Sequence, residues 1–128
     1  GNAMSAVDYK LMDVLRTEVY DVFQSLFSKY DLLVCPTLSI LPFDNATDGN
    51  TLGPSAVNGQ TVDSTIGWCL TYPFNFTGHP VASVPAGLSH RGLPVGLQIV
   101  GRRFDEAGVL AASALLEEVK PWADQYIT

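Results

Sequence analysis

Gly92-Leu93-Pro94-Val95-Gly96-Leu97-Gln98-Ile99-Val100-Gly101 is the stretch on which the fold turns. From residue 95 to 101 it reads as a strand, rich in aliphatic and β-branched side chains. Gly96 and Gly101 inside that run predict a bend or a close backbone approach. Upstream, Ser89-His90-Arg91-Gly92 supplies turn chemistry, and Val81-Ala82-Ser83-Val84 reads as a second strand that Pro85-Ala86-Gly87 ends. The two strands predict a hairpin with a long connection.

Outward from the hairpin the chain alternates helix and strand signals. Residues 5–29 carry Leu11, Leu15, Val19, Val22 and Leu26 at spacings of three and four, with Asp8, Asp13, Arg16 and Asp21 between them, which predicts a long amphipathic helix. Leu32-Leu33-Val34-Cys35, closed by Pro36, suits a short strand buried on both faces. Residues 36–63, rich in Pro, Gly, Asn, Asp and Thr, read as a long irregular loop, mobile and able to border a cleft. A short helix is predicted over 64–70. Asp105 can cap a last helix over 105–118, with Glu106 favourable to its dipole and Ala107, Leu110, Ala111, Ala114 and Leu115 as its apolar face. Pro121 stops it. The elements add up to an α+β fold, two helices packed on a small sheet.

Composition excludes several classes. The 128 residues carry a net charge of −6 and only 7 Lys and Arg, scattered apart from the Arg102-Arg103 pair, where nucleic-acid binding needs clustered cations. No apolar run approaches the roughly 20 residues needed to span a bilayer, and no signal peptide is visible, so cytoplasmic residence is expected. Cys35 and Cys69 belong to no CxxC pattern and, with His79 and His90, to no metal-ligand spacing; neither a metal nor a cofactor is expected. Cys35, in its apolar run, reads as a buried thiol. Charged residues make up 16% of the chain, against about 25% in typical soluble proteins. Such a thin polar coat on a small body predicts apolar surface that expects a cover. Gly1-Asn2-Ala3 reads as a cloning scar, leaving 4–128 as one domain.

The middle of the chain points to a function. Tyr30-Asp31-Leu32-Leu33-Val34-Cys35-Pro36-Thr37, Pro73-Phe74-Asn75-Phe76-Thr77-Gly78-His79-Pro80, Ser83-Val84-Pro85-Ala86-Gly87, the Gly92–Gly101 stretch and Phe104-Asp105-Glu106 together resemble, in order and spacing, the C-terminal region of the amidase signature family. The resemblance covers nearly everything from about residue 20 onward. It implies an α/β/α layered fold around a mixed sheet and hydrolysis of carbon–nitrogen amide bonds. It also implies a Ser nucleophile activated through a second Ser, held by a cis peptide, and a Lys. A serine hydroxyl is a weak nucleophile until a base takes its proton, so such a constellation is needed. By resemblance those residues lie upstream of this segment. The lysines here, Lys10, Lys29 and Lys120, stand near no Gly-Ser-Ser run, and there is no GxSxG elbow. His79 or His90 with Ser83 or Ser89 makes no convincing triad, because His79 sits in a structural turn and His90 in a polar loop.

The resemblance further implies that residues 68–75 line one side of the substrate cleft, which nominates Trp68, Tyr72, Phe74 and Asn75. Asn75, beside Pro73, can instead hydrogen-bond its own backbone. In the glutamyl-tRNA amidotransferase branch an Asp that helps hold glutamine lies five residues before the Pro of this motif; here that position is Trp68. An indole is donor-only and mostly apolar, so together with Tyr72, Phe74 and Phe76 it suggests an apolar or aromatic substrate side, or simply core filling.

Two classes of function follow. One is the C-terminal part of an amidase acting on a small-molecule amide, inactive alone without its N-terminal catalytic segment. The other is a stand-alone binding or structural module that completes a separate catalytic chain. In isolation the amidase part would present uncovered sheet, for which a homodimer is expected, whereas a monomer would favour the stand-alone module.

Overall fold

The computed structural model describes residues 3–49 and 51–123. Residues 1 and 2 of the expected scar, and 124–128 of the expected domain, lie outside the described residues. In chain order the elements are α1 (Ala6–Phe27), β1 (Leu32–Pro36), β2 (Ala56–Val57), β3 (Gln60–Thr61), α2 (Tyr72–Thr77), β4 (Val81–Leu88), β5 (Pro94–Gly101) and α3 (Glu106–Val119).

The glycine-punctuated run ending at Gly101 is the central strand. β5 lies between β1 and β4, with Val34 opposite Ile99 on one side and Ala82 opposite Ile99 on the other. Every pairing in this three-stranded sheet is antiparallel, so the α+β class holds while the sheet within the chain is not mixed. β4 does not end at Pro85. It continues to Leu88 through a register shift between Pro85 and Gly87, a bulge that absorbs the proline at the sheet edge. The connection between β4 and β5 is therefore a short turn rather than a long one, closed by Ser89 N–H to the Leu93 carbonyl at 2.8 Å.

Alternation along β5 sorts side chains to two faces. Gln98 and Val100 point to the face covered by α1 and α2, where Phe27, Phe74 and Val100 form the core with Phe23, Leu26, Leu33 and Cys35 against them. Leu97 and Ile99 point to the other face, beneath α3, whose Val109 is buried. The result is helix, sheet, helix. β1 was expected to be buried on both faces, yet Val34 is 52% exposed, because α3 leaves the β1 side of its face open.

Both long helices form where periodicity predicted and pack through different side chains. α1 starts at a capping box in which Ser5 and Asp8 exchange side-chain and backbone hydrogen bonds. Of its predicted stripe, Leu11, Leu15 and Val22 face solvent; only the last two turns reach the sheet, through Phe23, Leu26 and Phe27. α3 is capped by Asp105 accepting from the Gly108 N–H. Its predicted face is the outward one, with Leu110 67% and Leu115 61% exposed, while Val109, Ala112 and Leu116 turn inward. A helix apolar on most sides gives periodicity no single answer.

Two local expectations also change. Residues 64–70 form consecutive turns rather than a helix, nucleated by Asp63 accepting from the Thr65 and Ile66 amides. The expected irregular loop over 36–63 contains the β2–β3 hairpin, turned by Asn58 and Gly59, both at positive φ.

Candidate functional site

Just past β1 the chain forms a second layer of backbone pairing. Thr37 N–H donates to the Gly96 carbonyl, Leu70 N–H to the Thr37 carbonyl and Ser39 N–H to the Trp68 carbonyl, each at 3.0–3.1 Å, with Leu38 bridged to Cys69. Residues 68–70 thus extend the sheet edge, and the start of the segment nominated to line a cleft is fixed to the end of β1. Gln98, fully buried, locks this junction. Its Nε2 donates to the carbonyls of Leu70 at 2.9 Å and Pro36 at 3.1 Å, and lies 3.2 Å from Cys35 Sγ. Cys35 is accordingly half-buried and partnered by a polar group rather than sealed in hydrocarbon.

Close to the junction, Thr37 Oγ1 and Ser83 Oγ are 2.9 Å apart. Gly96 makes room for them: a Cβ there would come within 2.8 Å of Thr37 Oγ1. Ser83, Val84, Pro85, Pro94, Val95 and Gly96 line a shallow groove of about 300 Å³ beside the pair. The hydroxyl pair can give and accept hydrogen bonds at the end of the sheet. His79 Nδ1 is engaged by Thr77 Oγ1 at 2.7 Å rather than by either of these hydroxyls. Ser89 Oγ accepts from the Arg91 and Leu93 amides and so serves the hairpin turn.

The four nominated residues separate. Trp68 is held by its indole N–H donating to the Ser64 carbonyl and by Phe43 packed edge-on at 5.4 Å between ring centroids. Next to that pair, Ile40, Leu41, Phe43, Leu52, Gly53 and Pro54 border an apolar cavity of about 380 Å³. Tyr72 is half exposed and stacks on Phe76. Asn75 is exposed on α2. Phe74 is 4% exposed and packs against Phe23 in the core, the filling role that an aromatic in this motif could equally take. Ser83 entered the sequence reading only as a triad serine that was set aside, and Thr37, Gly96, Gln98 and Phe43 escaped it as site residues. Gly96 alone carried a signal, as a glycine inside a strand.

His79 lies behind this wall among the rings of Tyr20, Phe23 and Phe27. Burial, reinforced by the positive charge of Arg103, holds its imidazole below the usual histidine range. Among the described residues no three His, Cys, Asp or Glu side chains are grouped as metal ligands. No helix among them is long and apolar enough to cross a membrane.

The family model Amidase matches residues 1–110. This chain belongs to the amidase family. An acylamidase of Rhodococcus erythropolis is 36% identical over 123 residues, covering 95% of this chain and 25% of that protein. A glutamyl-tRNA(Gln) amidotransferase of Thermodesulfovibrio yellowstonii is 35% identical over 118 residues, covering 89% and 22%. Among solved structures, a bacterial aryl acylamidase of the amidase signature enzymes superposes with a TM-score of 0.91 at 49% identity, over 96% of this chain and 25% of that one. The glutamyl-tRNA(Gln) amidotransferase of Thermotoga maritima superposes at 0.71 with 28% identity, over 89% and 23%. The amidase segment therefore spans about a quarter of the length of the relatives it matches.

Proposed function

We propose that this segment is the C-terminal wall of an amide hydrolase, which borders the substrate while a Ser-cisSer-Lys constellation is supplied by the rest of such an enzyme. The observation that carries this is the 0.91 superposition, at 49% identity, on a quarter of a bacterial aryl acylamidase. The side chains present fit a bordering role. Lys10 pairs with Asp13 and Lys120 donates to the Ala86 carbonyl, so neither stands ready as a base. Ser83 meets Thr37 rather than a histidine. A serine nucleophile needs a positioned base and oxyanion donors, and these would come from outside the segment.

The substrate is an amide with an apolar or aromatic side. By resemblance Trp68, with Phe43 packed edge-on against it, takes the position at which a glutamine-binding enzyme carries a carboxylate, and a donor-only indole cannot hold an ammonium group.

A chimera tests the reading. The matching quarter of a bacterial aryl acylamidase is replaced by this chain, and hydrolysis of anilides and of glutamine is followed. Retained anilide hydrolysis, with little on glutamine, is expected. A folded chimera that hydrolyses neither overturns the proposal. The chain alone should release no ammonia from aliphatic or aromatic amides; release abolished by Ser83→Ala or Ser89→Ala would place the chemistry within it.

A further inference from the structure

Three segments of the chain bring together a second cavity of quite different character. Arg16, Thr17 and Tyr20 from α1, Thr77 from the end of α2 and Arg103 from the turn before α3 border about 360 Å³ of open space. No acidic residue is among them, although the chain carries 13 Asp and Glu against 7 Lys and Arg.

The arginines are held without being neutralised. Arg102, next in sequence, pairs with Asp31 at 3.0 Å; among the described residues Arg16 and Arg103 have no carboxylate within ion-pair distance. Arg16 donates from Nε to the Phe76 carbonyl, and its guanidinium lies 5.5 Å from the Phe76 ring centre. Arg103 lies 5.9 Å from the Tyr20 ring and 4.9 Å from the Phe104 ring. A ring face and a carbonyl hold Arg16, and two rings flank Arg103, which leaves the terminal N–H groups and full charge of both to spare. The Tyr20 hydroxyl accepts from the Gln24 amide, so its own proton remains available. Thr17 and Thr77 reach backbone carbonyls, of Asp13 and Pro73. The cavity is thus bordered by two charged donors and one neutral one.

A second observation lies directly behind it. His79, 6% exposed, stacks on Tyr20 with ring centroids 5.6 Å apart, and its Nε2 has no hydrogen-bond partner. The imidazole already bonded through Nδ1 to Thr77 therefore sits within electrostatic reach of whatever the arginines hold.

We infer that Arg16, Tyr20 and Arg103 form a binding site for a small oxyanion, of the carboxylate or phosphate type. Guanidinium forks match the paired oxygens of such anions, and two of them on one cavity exceed what a single surface charge offers. The site is exposed and therefore weakened by salt. It stands apart from the amide reading and does not depend on it.

The chain's two histidines make the test simple, because His90, exposed in the β4–β5 turn, serves as an internal reference. Inorganic phosphate and acetate are titrated separately into the chain at constant ionic strength, with the histidine ring resonances followed by NMR, and chloride serves as the salt control. Saturating displacement of the His79 signal by either probe is expected, together with a raised His79 titration midpoint as the charge of Arg103 is offset; His90 should not respond. Arg16→Gln and Arg103→Gln should each weaken the binding about tenfold, the worth of one charged hydrogen bond. Arg91→Gln, in the distant turn, should leave it intact. Absence of saturation with both probes, an equal effect of chloride, or unchanged binding in folded Arg16→Gln and Arg103→Gln would overturn the site.

Discussion

The Trp68 indole occupies the space that a side chain at Gly53 would need, since a Cβ there would overlap the indole nitrogen. Both groups donate to one acceptor, the Ser64 carbonyl, the Gly53 N–H at 2.8 Å and Trp68 Nε1 at 3.1 Å. Gly53 is not among the residues at positive φ, so contact rather than backbone conformation demands glycine here. Gly53→Ala is expected to displace the indole, redden its emission and cost about 1–3 kcal/mol as an overpacking change. Fluorescence and urea unfolding in a Trp122→Phe background check this. An unmoved spectrum with unchanged stability would show that the loop yields freely.

Gln98 makes the opposite kind of demand. Its amide is the donor for the Pro36 and Leu70 carbonyls at the junction of β1 with residues 68–70. Gln98→Leu would leave those acceptors without it inside the protein, and roughly 1–3 kcal/mol should be lost for each one left unsatisfied. Gln98→Glu should be worse, because it places a carboxylate against carbonyl oxygens in a buried position. Thermal unfolding of the two variants should rank them in that order below the parent chain; a Gln98→Leu variant of equal or greater stability would mean that water replaces the amide.

These two contacts also mark how far the sequence could be read. Elements with long, regular signals were legible: α1, α3, β1 and β5 all stand where periodicity and punctuation put them, and the fold class with them. The faces of the helices were not. Leu11 and Leu115 look as buried as Leu26 in a hydropathy pattern, yet only tertiary contact decides which side meets the sheet, and this chain covers only part of its apolar surface. The Asn58-Gly59 dipeptide was a readable hairpin signal lost in a stretch dominated by loop composition. Trp68 could be nominated through the family resemblance, which places it five residues before Pro73, whereas Phe43 and Gly53 could not, because their meeting with it depends on a long loop folding back.

Burial of His79 makes stability fall on mild acidification. Its folded-state pKa is depressed, chiefly by desolvation and further by Arg103, so the unfolded chain takes up this proton more readily than the folded one. The stability that neutral His79 confers is fully present above the unfolded value, about 6.5, and is progressively lost as pH falls below it toward the folded value. Urea unfolding between pH 7.5 and 5.5 should show the loss, and a His79→Leu variant should show less of it. Parallel curves for the two proteins would place the pH dependence elsewhere.

Hydrogen exchange should divide the stretch over 36–63 instead of finding it uniformly mobile. The amides of Gly53 and Val62 are bonded to Ser64 and Ser55, whereas none of those of Phe43, Asp44 and Asn45 has a partner among the described residues. Protection at Gly53 and Val62 with free exchange at the other three is expected, since local opening costs least where backbone bonds are absent. Uniformly fast exchange would detach the loop from Trp68 and remove the aromatic wall.

The open half of the α3 face should drive self-association. Leu32, Val34, Leu97, Ile99, Ala112, Leu115, Leu116 and Val119 border an apolar groove of about 370 Å³, with Leu115 61% and Val119 75% exposed at its rim. β1 runs along the same side as an outer strand, with no further strand beside it in the sheet among the described residues, so apolar surface and an available edge coincide. Hiding roughly 400 Å² of apolar surface would favour association by about 10 kcal/mol before the cost of joining two bodies, which is several kcal/mol at least. A modest two-fold dimer is the expected outcome. Sedimentation equilibrium at micromolar concentrations should report a mass approaching twice 13.8 kDa. The double substitution Leu115→Glu with Val119→Glu should return the monomer without unfolding it, because both side chains point outward in the single chain. A monomer at every concentration would mean that α3 swings to cover the groove itself; a dimer indifferent to both glutamates would move the interface to the exposed Leu11 and Leu15 of α1.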